Sequence, residues 1–188
     1  MIAALRSLLA PKQQEPRGFS GTGAVMMADS RGITKVGKCV TPEELVDCLG
    51  SITTTLIRAV EKKDGIVRQY IGGSLIAYWP PSKMPAGLSN AIEAAAVAVA
   101  ECGASIAVSV AVGEFALIGV GPAAKRPLLV GAAYQRAEAT LRAASTGTVS
   151  VDRQTLDALP ADIKVQFVMK DGYAELPIKS DSAALTKK

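Results

Sequence analysis

The chain of 188 residues contains no histidine. That absence excludes a Ser-His-Asp triad, a Cys-His pair and any histidine-ligated zinc supplied by this chain. Acid–base chemistry would rest on Asp, Glu, Lys, Tyr or Cys. Aromatic residues make up only 4 % of the sequence, so a core must be built from Ala, Val, Leu and Ile. Cysteine is scarce as well. Cys39, Cys48 and Cys102 form no Cys-x-x-Cys pair. An odd number of them speaks against a disulfide framework and for reduced thiols in a cytoplasmic protein. No stretch is long and apolar enough to span a bilayer. The opening residues 1–10 read as a short amphipathic helix without the pattern of a secretory signal; they are expected to fray or to cap the core, and a membrane or a partner could be contacted only through them.

What is present is a large apolar fraction, 49 %, which is enough to bury a sizeable core. The length suits one domain with short tails. A net charge of +4 is carried by small groups such as Lys62/Lys63 and Lys125/Arg126. No basic face interleaved with aromatic platforms is evident, so no nucleic-acid partner is expected.

Local signals divide the chain into residues 1–21 (short helix and linker), 22–179 (one domain) and 180–188 (a disordered tail). Ala24 to Ala28 reads as a buried strand closed by the turn Asp29-Ser30-Arg31-Gly32. Thr41-Pro42-Glu43-Glu44 spells a capping box, with proline at the first helical position. Leu45, Leu49, Ile52, Leu56 and Val60 then recur at helical spacing. Residues 66–71 and 74–79 flank Gly72-Gly73, a strong hairpin signal. Ser89 is expected to cap a second, alanine-rich helix ending at Gly103. Residues 105–112 and 115–120 read as a second hairpin around Gly113-Glu114. A third helix follows from Gly131 to about Ala144. A short strand, a short helix and a last hairpin of residues 165–169 with 173–178 complete the pattern. The order predicts an α+β fold with a ferredoxin-like split β-α-β unit, an antiparallel or mixed sheet, and helices on one face.

Three stretches invite a chemical reading. Gly32 to Cys39 nearly spells a phosphate-binding loop, but Cys39 stands where a magnesium-binding Ser or Thr is needed, and the helix start comes later, at Thr41. Gly119-Val120-Gly121 mimics a dinucleotide fingerprint, but Pro122 and the following Lys125-Arg126-Pro127 are poor material for the helix opening that motif needs. Asp29, at the end of a strand beside a glycine-containing turn, suits either a divalent cation or a cap on its own turn.

Taken together, Met26 to Thr34, Pro42 to Leu45, Asp64 to Ala77, Val110 to Gly119 and Val130 to Ala137 resemble the class III adenylyl/guanylyl cyclase domain, in order and in spacing. The resemblance covers about Gly23 to Leu159. It implies that Asp29 corresponds to the first of the family's two metal-binding aspartates. The second corresponds to Gly73, which has no side chain. The base-reading lysine falls at Gln69 and its acidic or threonine partner at Leu128. The transition-state asparagine falls at Gln135 and the phosphate-binding arginine at Ala139. Two-metal catalysis needs both carboxylates, and an alanine cannot stabilise charge on a transferring phosphate.

The resemblance therefore implies a pseudo-cyclase with no catalytic residues and no resident Mg²⁺ or Mn²⁺, with Asp29 a vestigial metal ligand. The expected role is a regulatory or scaffolding module that forms a homodimer or heterodimer. One alternative is a non-catalytic sensor of a nucleotide or other small ligand, held by Ser30, Arg31, Gly32, Thr34, Lys125 and Arg126. Another is a divergent cyclase.

Overall fold

The computed structural model describes residues 18–31, 41–121 and 126–178. The expected N-terminal helix, the near-phosphate-loop stretch from Gly32 to Cys39, the site candidates Gly32, Thr34 and Lys125, and the C-terminal tail lie outside the described residues.

The elements follow in the order β1 (Phe19–Ser30), α1 (Pro42–Glu61), β2 (Ile66–Ile71), β3 (Ser74–Trp79), α2 (Ala86–Cys102), β4 (Ile106–Val120), β5 (Arg126–Gly131), α3 (Ala132–Ala143), β6 (Thr148–Asp152), α4 (Arg153–Ala158), α5 (Ala161–Lys164), β7 (Val168–Met169) and β8 (Tyr173–Pro177). The strands form one sheet in the order β2-β3-β1-β4-β6-β8-β7, with β5 paired to β4. The β4–β6 pair is parallel and the other pairs are antiparallel, so the sheet is mixed. The first four strands, in spatial order β2-β3-β1-β4 with α1 and α2 between them, are the split β-α-β unit read from the sequence.

β1 lies inside the sheet, between β3 and β4, because it is apolar on both faces. Ala24, Met26 and Ala28 pack under α1 and α2 with Leu56, Val60, Trp79, Ala94 and Val110. Val25 and Met27 pack on the opposite face with Tyr78, Ala111, Phe115, Ala133 and Ala137. Helices therefore cover both faces: α1 and α2 hold the expected one, and α3 lies on the other. A chain poor in aromatics fills this second layer by placing Ala133 and Ala137 against the sheet and clustering three of its few rings. The Phe19, Tyr78 and Phe115 centroids lie 5.6–5.8 Å apart. On the first face, Ala91, Ala94, Ala95 and Ala98 are fully buried and let α2 approach the sheet closely.

The capping box at Thr41 forms as read: the Glu44 N–H donates to the Thr41 hydroxyl, and the Thr41 N–H to the Glu44 carboxylate at 2.8 Å. Four local readings change. The second hairpin does not exist, because β4 continues through Gly113-Glu114 while pairing without interruption along β1, with Gly113 opposite Gly23. β5 is its true hairpin partner. β1 begins at Phe19, so it reaches back into residues expected to be linker. α2 begins at Ala86, directly after Pro85, which leaves Ser89 inside the helix rather than capping it. The strand expected over 165–169 shrinks to Val168–Met169, because α5 ends with Val165 as its C-cap.

Candidate functional site

The end of β1 and the tip of the β2–β3 hairpin meet because β1 and β3 pair in a register that sets Asp29 opposite Ser74. The Ser74 hydroxyl donates to Asp29 Oδ1 at 2.8 Å. Arg31 Nε lies 3.2 Å from Asp29 Oδ2. The Arg31 guanidinium also donates to the Leu141 carbonyl in the last turns of α3. A helix C-terminus carries partial negative charge and favours a cation there. Both oxygens of Asp29 are thus engaged, one by a hydroxyl and one by a fixed positive charge.

Ser30 is turned the other way. Its N–H and its hydroxyl both donate to the Gly73 carbonyl, at 3.0 and 2.9 Å. Gly73 has φ +120, and a Cβ placed on it would fall 2.2 Å from Ser30 Oγ and 3.3 Å from Leu49 Cδ2. Any side chain at 73 would have to displace a buried serine and adopt a conformation that L residues avoid.

The remaining candidates stand apart. Gln69 is exposed on β2, and Gln135 and Ala139 are exposed one turn apart on α3. Leu128, on β5, is 45 % exposed and pairs with Ile118 of β4. Arg126 is exposed at the end of the same ribbon, opposite Val120. Among the described residues, no hydrogen bond or ion pair joins Arg126, Gln69, Gln135 or Leu128 side chains to Asp29, Ser30 or Arg31. The candidate ligand set thus divides into a β1 corner and a β4–β5 ribbon.

Two features escaped the sequence reading. Ser74 directly follows the glycine pair of the hairpin tip, and its position across from Asp29 becomes visible only once the β1–β3 register is known. The second is a polar network behind α3. Arg136 Nε lies 3.4 Å from Asp152 Oδ2, and its guanidinium donates to the Val112 carbonyl. Asp152 caps α4 through the Thr155 N–H at 3.0 Å and accepts the Thr155 hydroxyl at 2.7 Å. The Thr155 oxygen in turn accepts the Val112 N–H at 3.0 Å. Gly113 makes room for this: the Arg136 guanidinium occupies the space a Cβ would need, 2.4 Å away.

The fold matches those of solved nucleotidyl cyclases. The adenylyl cyclase CyaB from P. aeruginosa matches with a TM-score of 0.69 at 15 % identity, over 88 % of this chain and 98 % of that one. This chain has the fold of a cyclase catalytic domain. The catalytic core of a rhodopsin-guanylyl cyclase with converted specificity, solved with ATPalphaS, matches at 0.72 with 12 % identity, over 88 % of this chain and all of that one. The guanylyl cyclase Cya2 matches at 0.69 with 15 % identity, over 89 % and 98 %. No protein-family model matches the sequence, and no curated protein does.

The resemblance read from the sequence implies a pair of divalent cations, and among the described residues the positions it names do not supply two free carboxylates for such a pair. Asp29 is a single carboxylate with its charge met by Arg31. The neighbouring position is a glycine whose side-chain space is filled by Ser30. Among the described residues, no cluster of three or more His, Cys, Asp or Glu could hold a metal ion. Among the described residues, also, no helix is long and apolar enough to cross a membrane.

Proposed function

We propose that this domain is a catalytically silent cyclase-fold module of the cytoplasm that works by pairing with a second polypeptide, either another copy or a related chain. The observation that carries the reading is Gly73. A two-metal reaction needs a second carboxylate beside Asp29 to clamp the attacking and leaving oxygens. Here that place is occupied by the Ser30 hydroxyl and its bond to the Gly73 carbonyl. Leu128, Gln135 and Ala139 offer neither a purine-edge partner nor a cation for phosphate, so the positions that the resemblance assigns to base and phosphate are also without that chemistry.

Pairing is supported by apolar surface that the domain leaves uncovered. Ile118 and Leu128 face each other across the β4–β5 ribbon at 42 % and 45 % exposure, flanked by Val120 and Val130. Tyr70 and Ile71, at the tip of β2, are exposed by 64 % and 66 %. A cluster of exposed aliphatic and aromatic side chains is a common mark of an interface. A guanylyl cyclase domain of the same fold, from Blastocladiella emersonii, has been solved both as a dimer and as a monomer.

Light scattering on size-exclusion eluate tests the pairing. The whole chain is expected to elute as a dimer, and Ile118→Glu/Leu128→Glu as a folded monomer. A wild-type chain that stays monomeric at high concentration would refute self-association and leave only pairing with a different chain.

A further inference from the structure

A cavity of about 620 Å³ opens at the opposite end of β1 from Asp29. Thr22 lines it, seven residues before Asp29, roughly 23 Å along an extended strand. Its walls are apolar: Met84 and Pro85 ahead of α2, Leu88 in its first turn, Val112 from β4, and Ala158 and Pro160 at the end of α4. This volume lies within the range of small-molecule sites, which are mostly apolar with a few placed polar groups.

The polar groups are few and of one character. Thr22 and Glu114 are partners in the β1–β4 register, so their side chains stand side by side on one wall. Among the described residues, Ser89 and Gln154 supply the remaining side-chain hydrogen-bonding groups. No Lys or Arg among the described residues lines the cavity, so they offer a phosphate or carboxylate no cationic side chain there. The first turn of α2 does not replace one, since the Leu88 N–H is already donated to the Pro85 carbonyl at 3.1 Å. Among the described residues, Glu114 is the one charged side chain in the lining, and its side chain makes no hydrogen bond or ion pair with any other of them.

We propose that this cavity binds a small organic cation, an amine carried on a compact apolar body. The apolar part fills the space between α2 and α4, and the ammonium group pairs with Glu114 while Thr22 and Gln154 accept its other protons. Attraction between a carboxylate and an ammonium is stronger against low-dielectric walls than in open water. The floor of the cavity is Val112 and Gly113, the residues that Arg136 of α3 holds from the other face of the sheet. The site is thereby fixed to the helix that carries Gln135 and Ala139 without sharing a residue with the Asp29 corner.

Three probes with one cage and different heads test this: 1-adamantylamine, 1-adamantanol and 1-adamantanecarboxylate, titrated into the whole chain by calorimetry and by amide NMR. The amine is expected to bind saturably, at least about tenfold tighter than the carboxylate, the fold-change of one well-placed charge pair. Its shifts are expected at the Thr22, Val112 and Glu114 amides. Glu114→Gln, at an exposed position, is expected to keep the fold and lose the preference for the amine over the alcohol. Ala158→Trp is expected to block all three by filling the mouth of the cavity. The proposal is overturned if none of the three probes binds saturably. It is equally overturned if the head groups bind alike, if Glu114→Gln retains the amine preference, or if the shifts map elsewhere.

Discussion

Putting any side chain at position 73 should cost far more than at its neighbour. Gly73→Ala forces an L residue to φ +120 and drives its Cβ to 2.2 Å from Ser30 Oγ. The backbone strain is about 1–3 kcal/mol. Moving the Ser30 hydroxyl away from the Gly73 carbonyl adds about 1 kcal/mol. The sum, about 2–4 kcal/mol, corresponds to a fall in Tm of about 5–15 °C for a domain of this size. Gly73→Asp, which would place a carboxylate where the cyclase resemblance expects one, should be at least as costly because it sets a second negative charge beside Asp29. Gly72 supplies the internal control. Its φ is +60, and a Cβ there meets nothing within 4 Å. Gly72→Asn should therefore stay within about 1 kcal/mol of wild type. Urea unfolding of the single variants and of Ser30→Ala/Gly73→Ala measures the coupling directly, and about 1 kcal/mol of the Gly73→Ala cost should disappear once the hydroxyl is gone. If Gly73→Ala were no worse than Gly72→Asn, or were indifferent to Ser30, the packing argument for a closed metal position would be wrong.

Arg136→Met should destabilise the domain by about 2–3 kcal/mol, because it leaves Asp152 without its ion-pair partner and the Val112 carbonyl without a donor. Denaturant midpoints of Arg136→Met, Asp152→Asn and the double variant should reveal strong non-additivity, and simple additivity would refute the network. Burial pushes the Cys102 thiol from its ordinary 9.0 up to about 11, with the Glu101 carboxylate adding to the rise and Arg58 opposing it. The folded chain therefore keeps a proton that the unfolded chain releases above pH 9. The stability Cys102 contributes is complete below that pH and is lost as pH rises toward 11. Unfolding midpoints between pH 8.5 and 11 should fall more steeply for wild type than for Cys102→Ala, and parallel curves would contradict the burial argument.

The strongest local signals in the sequence carried the fold. The capping box at Thr41, the glycine pair at 72–73 and the helical spacing from Leu45 to Val60 are each decided within a few residues, and each forms as read. The β4 error has a non-local cause. Gly113-Glu114 looks like a turn in isolation, but the length of β1 offers β4 a partner along its whole course, and pairing overrides the local preference. Ser89 was misplaced for a similar reason: a good capping residue three positions into a helix is overruled by the proline that precedes the true start. The second helix layer was hidden because α3 meets the sheet through Ala133 and Ala137, which give little amphipathic contrast. At the site, the glycine at 73, where the resemblance expects a carboxylate, was legible from the motif. Its closure was not, since Ser30, Gly73 and Leu49 meet only through the β1–β3 register and the packing of α1. The Asp29–Arg31 pair could have been suspected, because opposite charges stand two residues apart where β1 gives way to a turn. The arginine's second bond, to the end of α3, belongs to tertiary structure alone.

Product formation tests the central claim most directly. The purified whole chain, with ATP or GTP and either Mg²⁺ or Mn²⁺, is expected to yield no cyclic nucleotide above the level of its Asp29→Ala variant. Turnover that is clearly measurable in wild type and abolished by Asp29→Ala would contradict the account, and would mean that Asp29 still serves a metal despite Arg31 and Gly73.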